Sequence, residues 1–335
     1  MRWLLGLLAI GGWAGCLVDS RTEVARAAIV GGVASPAEDD AVVLLRRAGS
    51  ACSGTLLAPN LVLTARHCVS TTTGDGVDCN VSGEPEPADQ VLADDRPEEV
   101  SIFVGTARPA PDDPPAALGA RILTPSAHSL CNNDIALIVL DRAIRDAKFA
   151  PVRLEARSPL GENVRLVGWG YAPGDEPLVR RRRDQVPVIA VGPDAQSVRT
   201  PVPPREFAIG EGACFGDSGG PALSERGAII GLVSRIALPP DPVQNPDLGF
   251  VDDERSPSRC ADAQGFYTRT DAFADLLERA AVEAGATLWR EGETDPPAPP
   301  AHGCQVGRWS GGPAPAVPLV LFAALAIRRR RNRVP

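Results

Sequence analysis

Only three histidines occur in the 335 residues, His67, His128 and His302, so chemistry that moves a proton on an imidazole has few places to occur. His67 lies in Leu63-Thr64-Ala65-Arg66-His67-Cys68, at the end of an apolar stretch. Ser218 lies in Gly216-Asp217-Ser218-Gly219-Gly220-Pro221. Glycines around a serine let the backbone turn tightly and leave the hydroxyl and neighbouring N–H groups open to a substrate. Asp134 heads the apolar run Ile135-Ala136-Leu137-Ile138-Val139-Leu140; an acid at the edge of a buried strand needs a partner, and an imidazole N–H supplies one. A hydroxyl, an imidazole and a carboxylate in contact make an activated nucleophile suited to acyl transfer. Taken singly, each also reads as structural: a buried histidine, a strand-end aspartate, a loop serine. His128 has no such surroundings and reads as a loop residue.

The elements that must bring these residues together are short and rich in Val, Ile and Leu. Strand-like segments fall at 41–45, 55–64, 100–104, 134–140, 163–167, 186–191 and 228–233, bounded by Gly, Pro, Asn or Asp. Few helical periods lie between them, which predicts an all-β sandwich or barrel rather than a doubly wound sheet. One helix is expected over 271–284, with Phe273, Leu276, Leu277 and Ala280 on one face.

The ends differ from the middle. With 42 acidic and 34 basic side chains the net charge is −8, which argues against nucleic acid as a partner. Residues 303–335 carry six arginines and no acid, and residues 1–28 carry +1, leaving −15 on 29–302. Residues 1–28 read as a signal peptide and propeptide. Within them Trp13-Ala14-Gly15-Cys16 resembles a bacterial lipoprotein box, or Cys16 is simply lost with the signal. A Pro-rich linker is expected over 291–302. The tail 303–335, with Gly303-Cys304, an apolar stretch and terminal arginines, resembles the myxobacterial surface-sorting tags; an ordinary tail anchor is the alternative. Six cysteines remain between the ends: Cys52, Cys68, Cys79, Cys131, Cys214 and Cys260. None forms a Cys-x-x-Cys pair and no histidine sits at ligand spacing, so no metal or other cofactor is expected. An even number in an exported chain reads as three disulfides.

Chain order separates two families that share Gly-x-Ser-x-Gly. In the α/β-hydrolases the histidine follows the serine, and here only His302 does. The order His67, Asp134, Ser218 resembles that of trypsin/chymotrypsin-like serine endopeptidases. Further motifs carry the resemblance: Ile29-Val30-Gly31-Gly32, Cys52-Ser53-Gly54, Asn133-Asp134-Ile135-Ala136-Leu137, Gly168-Trp169-Gly170, Ser234 after a strand, and Gly265-Phe266-Tyr267-Thr268. The resemblance implies a peptidase domain over 29–290, built of two six-stranded antiparallel β-barrels and a C-terminal helix. It implies His67, Asp134 and Ser218 as triad, Gly216 and Ser218 N–H groups as oxyanion hole, and Ser234 supporting Asp134. It further implies an Ile29 ammonium pairing with Asp217, and bridges Cys52–Cys68 and Cys214–Cys260. With those assigned, Cys79 is left with Cys131, a pair no family motif supports. Substrates would be proteins or peptides, handled by a monomer attached to a membrane or cell surface through its tail.

Departures from the family set the expected specificity. Gly212 stands where trypsin-like enzymes carry a pocket-floor aspartate, and the wall reads Ser234-Arg235-Ile236 in place of an aromatic then a glycine. With Gly265 on the opposite side, these residues predict a pocket for small aliphatic P1 residues, next to a long insertion at 237–259. Ala28 precedes Ile29, so release by the enzyme itself fits better than a trypsin-like activator. The acidic stretch 74–99 reads as a solvated excursion, and Arg180–Arg183 as exposed loop. A catalytically silent surface protein of the same fold is the alternative to an active enzyme.

Overall fold

A computed structural model describes residues 29–47, 49–73, 78–86, 91–146, 148–170, 179–196, 198–239 and 260–297. The chain divides into two units, 1–300 and 301–335, and all described residues lie in the first. The leader, Cys16, Ala28, the segment 240–259 and the tail with Cys304 lie outside the described residues.

The strands run in chain order as β1 (Val33–Ala34), β2 (Val42–Arg47), β3 (Ser50–Ala58), β4 (Leu61–Thr64), β5 (Ser70–Thr72), β6 (Val91–Asp94), β7 (Ser101–Phe103), β8 (Ala117–Leu123) and β9 (Ala136–Leu140). They continue as β10 (Asn163–Gly168), β11 (Arg181–Val191), β12 (Glu206–Ile209), β13 (Pro221–Leu223), β14 (Ile229–Ala237) and β15 (Gln264–Arg269). The helix α1 spans Ala274–Ala284. The stretch expected as one strand at 55–64 is two, because Pro59-Asn60 turns the chain between β3 and β4.

Two closed antiparallel barrels result. In the first, β2-β3-β4-β9-β8-β7 form a ring that β7 closes onto β2. In the second, β10-β13-β14-β15-β12 are joined by β11, which pairs with both β10 and β12, while β1 adds to the outer side of β11. Closure leaves neither barrel an open edge, which β-sheets must otherwise protect. β2, β4 and β9 are buried almost throughout, with Val43, Leu44, Leu61, Val62, Leu137 and Ile138 fully inside. Their uninterrupted apolar runs match strands with no solvated face. The second core gathers Val164, Leu166, Phe207, Ile209 and Tyr267 around Ile29, the first described residue. The segment 271–284 begins as a 3-10 turn, Asp271–Phe273, before α1 buries Leu276, Leu277, Ala280 and Ala281.

Among the described residues three disulfides are present: Cys52–Cys68, Cys79–Cys131 and Cys214–Cys260. Among the described residues no helix is long and apolar enough to cross a membrane.

Arg180–Arg183 are not an exposed loop. Arg180 is fully buried and Arg181–Arg183 open β11. The Arg180 guanidinium donates to Ser35, Val42 O, Gly105 O, Pro36 O and Asp40. A charge run defaults to a solvated reading, yet these guanidinium groups are taken up by main-chain carbonyls and acids of the segment 30–42 together with Gly105, Asp184 and Glu211.

Candidate active site

Strand pairing brings two of the three residues to one rim. Thr64 at the end of β4 pairs with Ala136 at the start of β9. His67, three residues beyond, and Asp134, two residues before, therefore emerge at the same edge of the first barrel. His67 sits on a 3-10 turn, Arg66–Cys68, that ends the strand.

The Asp134 carboxylate is 1% exposed and takes three contacts. Oδ1 accepts the His67 backbone N–H at 3.0 Å, and Oδ2 lies 2.8 Å from His67 Nδ1 and accepts from Ser234 Oγ at 2.7 Å. A carboxylate at Nδ1 favours the tautomer with its proton there, which leaves Nε2 to accept. Burial by itself would raise the Asp134 pKa, but His67 and the Ser234 hydroxyl outweigh it and hold the carboxyl below its ordinary range.

Ser218 reaches the rim from the second barrel, in the loop between β12 and β13. The loop is tied to the first barrel, where Ser53 N–H donates to Ser218 O at 2.8 Å. Ser53 Oγ donates to Gly216 O at 3.2 Å and accepts Trp169 N–H at 2.8 Å. Gly219, at φ +77, packs so closely that a Cβ there would lie 2.3 Å from both Ser53 O and Thr64 Oγ1. A side chain at 219 would force the two barrels apart at the serine. Among the described residues the Gly216 and Ser218 N–H groups have no hydrogen-bond acceptor.

Asp217 points the other way, into the second barrel, fully buried. It accepts N–H groups from Ile29 (2.9 Å), Cys214 (2.9 Å) and Gly170 (2.8 Å). Burial drives its pKa up to about 6 against the pull of those three donors. The motif Gly168-Trp169-Gly170 is explained here: a Cβ at 168 or 170 would strike the Asp217 carboxylate at 2.2 or 2.7 Å.

A Cβ at Gly212 would meet Leu166 Cδ1 at 2.4 Å and Ile209 Cδ1 at 3.3 Å, so position 212 faces apolar side chains. Ile236 pairs with Gly265 across β14 and β15 and leans on Val30, Cys214 and Cys260. Arg235 carries its guanidinium 4.5 Å above the Phe266 ring and donates to the buried Glu206. His128 is exposed in a loop, where its carbonyl accepts Val91 N–H. The Cys52 and Cys68 sulfurs lie within 4.8 Å of a His67 ring nitrogen. Both are used in their disulfide, which makes this a packing contact rather than a ligand set.

Sequence reasoning passed over Ser53, Asn132 and Glu206. Asn132, at φ +62, gives its N–H to Glu206 at 3.4 Å, accepts Arg205 N–H at 2.9 Å and donates Nδ2 to Ser82 O at 3.2 Å. Glu206 in turn holds Arg235, the neighbour of Ser234, so Asn132-Asn133-Asp134 is clamped from two strands. Burial raises the Glu206 pKa, Arg235 opposes it and the nearby Asp134 charge reinforces it. These are single polar residues whose side chains find partners as far as 163 positions away, and nothing local in the sequence signals them.

Two closed antiparallel barrels with a serine, a histidine and an aspartate at their junction define the class of two-barrel serine endopeptidases. The family model described as Trypsin matches residues 29–251, and the chain belongs to that family. It is 30% identical over 217 residues to Serine protease SP24D of Anopheles gambiae, covering 63% of this chain and 72% of the relative. It is 32% identical over 206 residues to Vitellin-degrading protease of Bombyx mori, covering 58% and 69%. It is also 28% identical over 268 residues to Kallikrein 1-related peptidase b27 of Mus musculus, covering 71% and 89%. These relatives are peptidases by name, which favours the enzyme over a silent binding protein.

Proposed function

We propose that the chain is an exported endopeptidase working through Ser218, His67 and Asp134. Ser218 Oγ attacks the scissile carbonyl while His67 Nε2 takes its proton. His67 then returns that proton to the leaving amine, and water hydrolyses the acyl-enzyme by the same steps. Asp134, supported by Ser234, holds the imidazole in its tautomer and stabilises the imidazolium. The free N–H groups of Gly216 and Ser218 receive the developing oxyanion, worth about 3–4 kcal/mol per donor. The observation that carries this reading is the buried Asp134 carboxylate, held by the His67 backbone N–H, His67 Nδ1 and the Ser234 hydroxyl.

The apolar surroundings of Gly212 and the paired Ile236 and Gly265 support cleavage after small aliphatic residues such as Ala or Val. Ala28 at the 28–29 bond fits the same preference and supports self-processing. Ile29 is β-branched yet held at φ +46, a conformation such residues adopt only under strain. Cutting the 28–29 bond removes the carbonyl that defines this φ and turns the buried N–H into an ammonium facing Asp217. Three disulfides suit an oxidising, extracellular location. We assign the tail 303–335 to retention at the cell surface after processing near Cys304, and the working form to a monomer.

The test is cleavage of a peptide library by the processed chain. Cleavage after Ala and Val, absent in Ser218→Ala, supports the reading; cleavage mainly after Arg, Lys or large aromatics overturns the pocket assignment. Ser218→Ala protein that still matures to an Ile29 N-terminus when expressed alone would show that another protease does the processing.

A further inference from the structure

The run Arg180–Arg183 has no part in the triad, yet each of its side chains reaches the segment that follows Ile29. Arg180 holds Ser35, Pro36 and Asp40, Arg181 donates to Gly32 O, and Arg182 pairs with Glu38 and Asp39. Arg183 does something different. Its Nη1 donates to Val30 O at 2.9 Å, to Glu211 O at 3.0 Å and to Glu211 Oε1 at 3.1 Å. One nitrogen thus joins the residue after Ile29 to the residue before the pocket floor, Gly212. The join is doubled by Val30 N–H, which donates to Gly212 O at 2.7 Å. It is carried onward by Glu211 Oε2, which accepts Asp262 N–H at 2.8 Å, two residues past the Cys214–Cys260 bridge.

We propose that Arg183 is a positioning residue that couples docking of the Ile29 end to the pocket floor through Glu211. This rests on the activation reading above, in which the Ile29 ammonium pairs with Asp217. The three acceptors on Arg183 come from two segments, Val30 and Glu211, so docking of one orders the other. Loss of Arg183 should weaken docking of Ile29 without touching His67, Asp134 or Ser218.

Docking has a titration of its own. Among the described residues, the titratable groups at the Ile29 nitrogen are Asp217 and, next to Asp217, the buried Tyr267 phenol, and the core around Ile29 is built of apolar side chains such as Leu166, Phe207 and Ile209. Arg183 and Glu211 stand one residue away, at Val30. An amine that pairs with a carboxylate has a raised pKa, so the docked state is favoured at lower pH and lost as pH rises through the docked value. A tenfold weaker docking lowers that value by about one unit.

The experiment uses the chain with an enteropeptidase recognition sequence in place of residues 24–28, cut and checked by N-terminal sequencing. The pH profile of kcat/KM is measured for this protein and for Arg183→Met, Arg183→Lys and Arg182→Met. Arg183→Met should bring the alkaline limb down by about one unit with the acid limb unmoved. Arg183→Lys, which keeps the charge but reaches fewer acceptors, should fall between and serves if Arg183→Met does not fold. Arg182→Met, which loses pairing with Glu38, Asp39 and Asp184 but nothing at Val30 or Glu211, should keep the parent profile. An unchanged alkaline limb in both Arg183 variants overturns this proposal alone. A parent protein that is active, but whose alkaline limb is unmoved by acetylation of the Ile29 amine, overturns the activation reading and this proposal with it.

Discussion

At the scale of single residues, the two buried aspartates of the site carry opposite perturbations, and their signs make opposite predictions. Asp134 is held below its ordinary range, so it adds stability above the unfolded value and loses it only as pH falls through its lower folded value. It therefore stays ionised in any ordinary assay. Asp134→Asn should lower kcat about 10⁴-fold, because the amide favours the wrong imidazole tautomer. Ser234→Ala, which removes one donor to that charge, should cost roughly tenfold. Asp217 is raised to about 6, so its contribution is present below the unfolded value and is lost as pH rises through about 6. With only amide donors around it, it burdens the uncut chain at pH 8 by about 3 kcal/mol. An ammonium at Ile29 relieves that burden. Thermal midpoints of Ser218→Ala protein, cut and uncut after residue 28, should therefore diverge most at pH 8 and draw together as pH falls through about 6, converging only below the unfolded aspartate value, at about pH 3; equal midpoints at pH 8 would contradict this.

At the scale of elements, what could be read locally was the apolar strand, and what could not was the polar clamp. β2, β4 and β9 announce themselves as continuous Val, Ile and Leu runs, and the barrel pairing then delivers His67 and Asp134 to one rim. β8, with Gly119, Ala120 and Arg121 in its middle, lacks any such run and went unread. Arg180–Arg183 misled because charge density says nothing about acceptors as far as 153 positions earlier. The third disulfide belongs to this scale as well. It fixes Cys131 next to Asn132, two residues before Asp134, across a sequence separation of 52. Replacing Cys79 and Cys131 together by serine should cost about 4 kcal/mol by loop-closure entropy. In denaturant unfolding this appears as a lower midpoint, and in kinetics as a fall in kcat larger than the rise in KM. A loss confined to stability would separate the bridge from the triad.

At the scale of the whole molecule, the two barrels divide the chemistry. In the proposed mechanism the first supplies His67 and Asp134 and the second Ser218, Asp217 and the pocket, while Ser53 ties the two at the serine. The acidity of the chain sits in the same part: with the leader and tail set aside, −15 remains. A processed form lacking both should focus below the whole chain's pI of 5.1. A product at or above that value would mean that the arginine tail is kept. If Ser218 is an activated nucleophile, a fluorophosphonate probe followed by mass-spectrometric mapping should give one adduct, on Ser218, abolished in Ser218→Ala and strongly slowed in His67→Ala. Cut, folded protein with no adduct, or with its adduct on another residue, would contradict it.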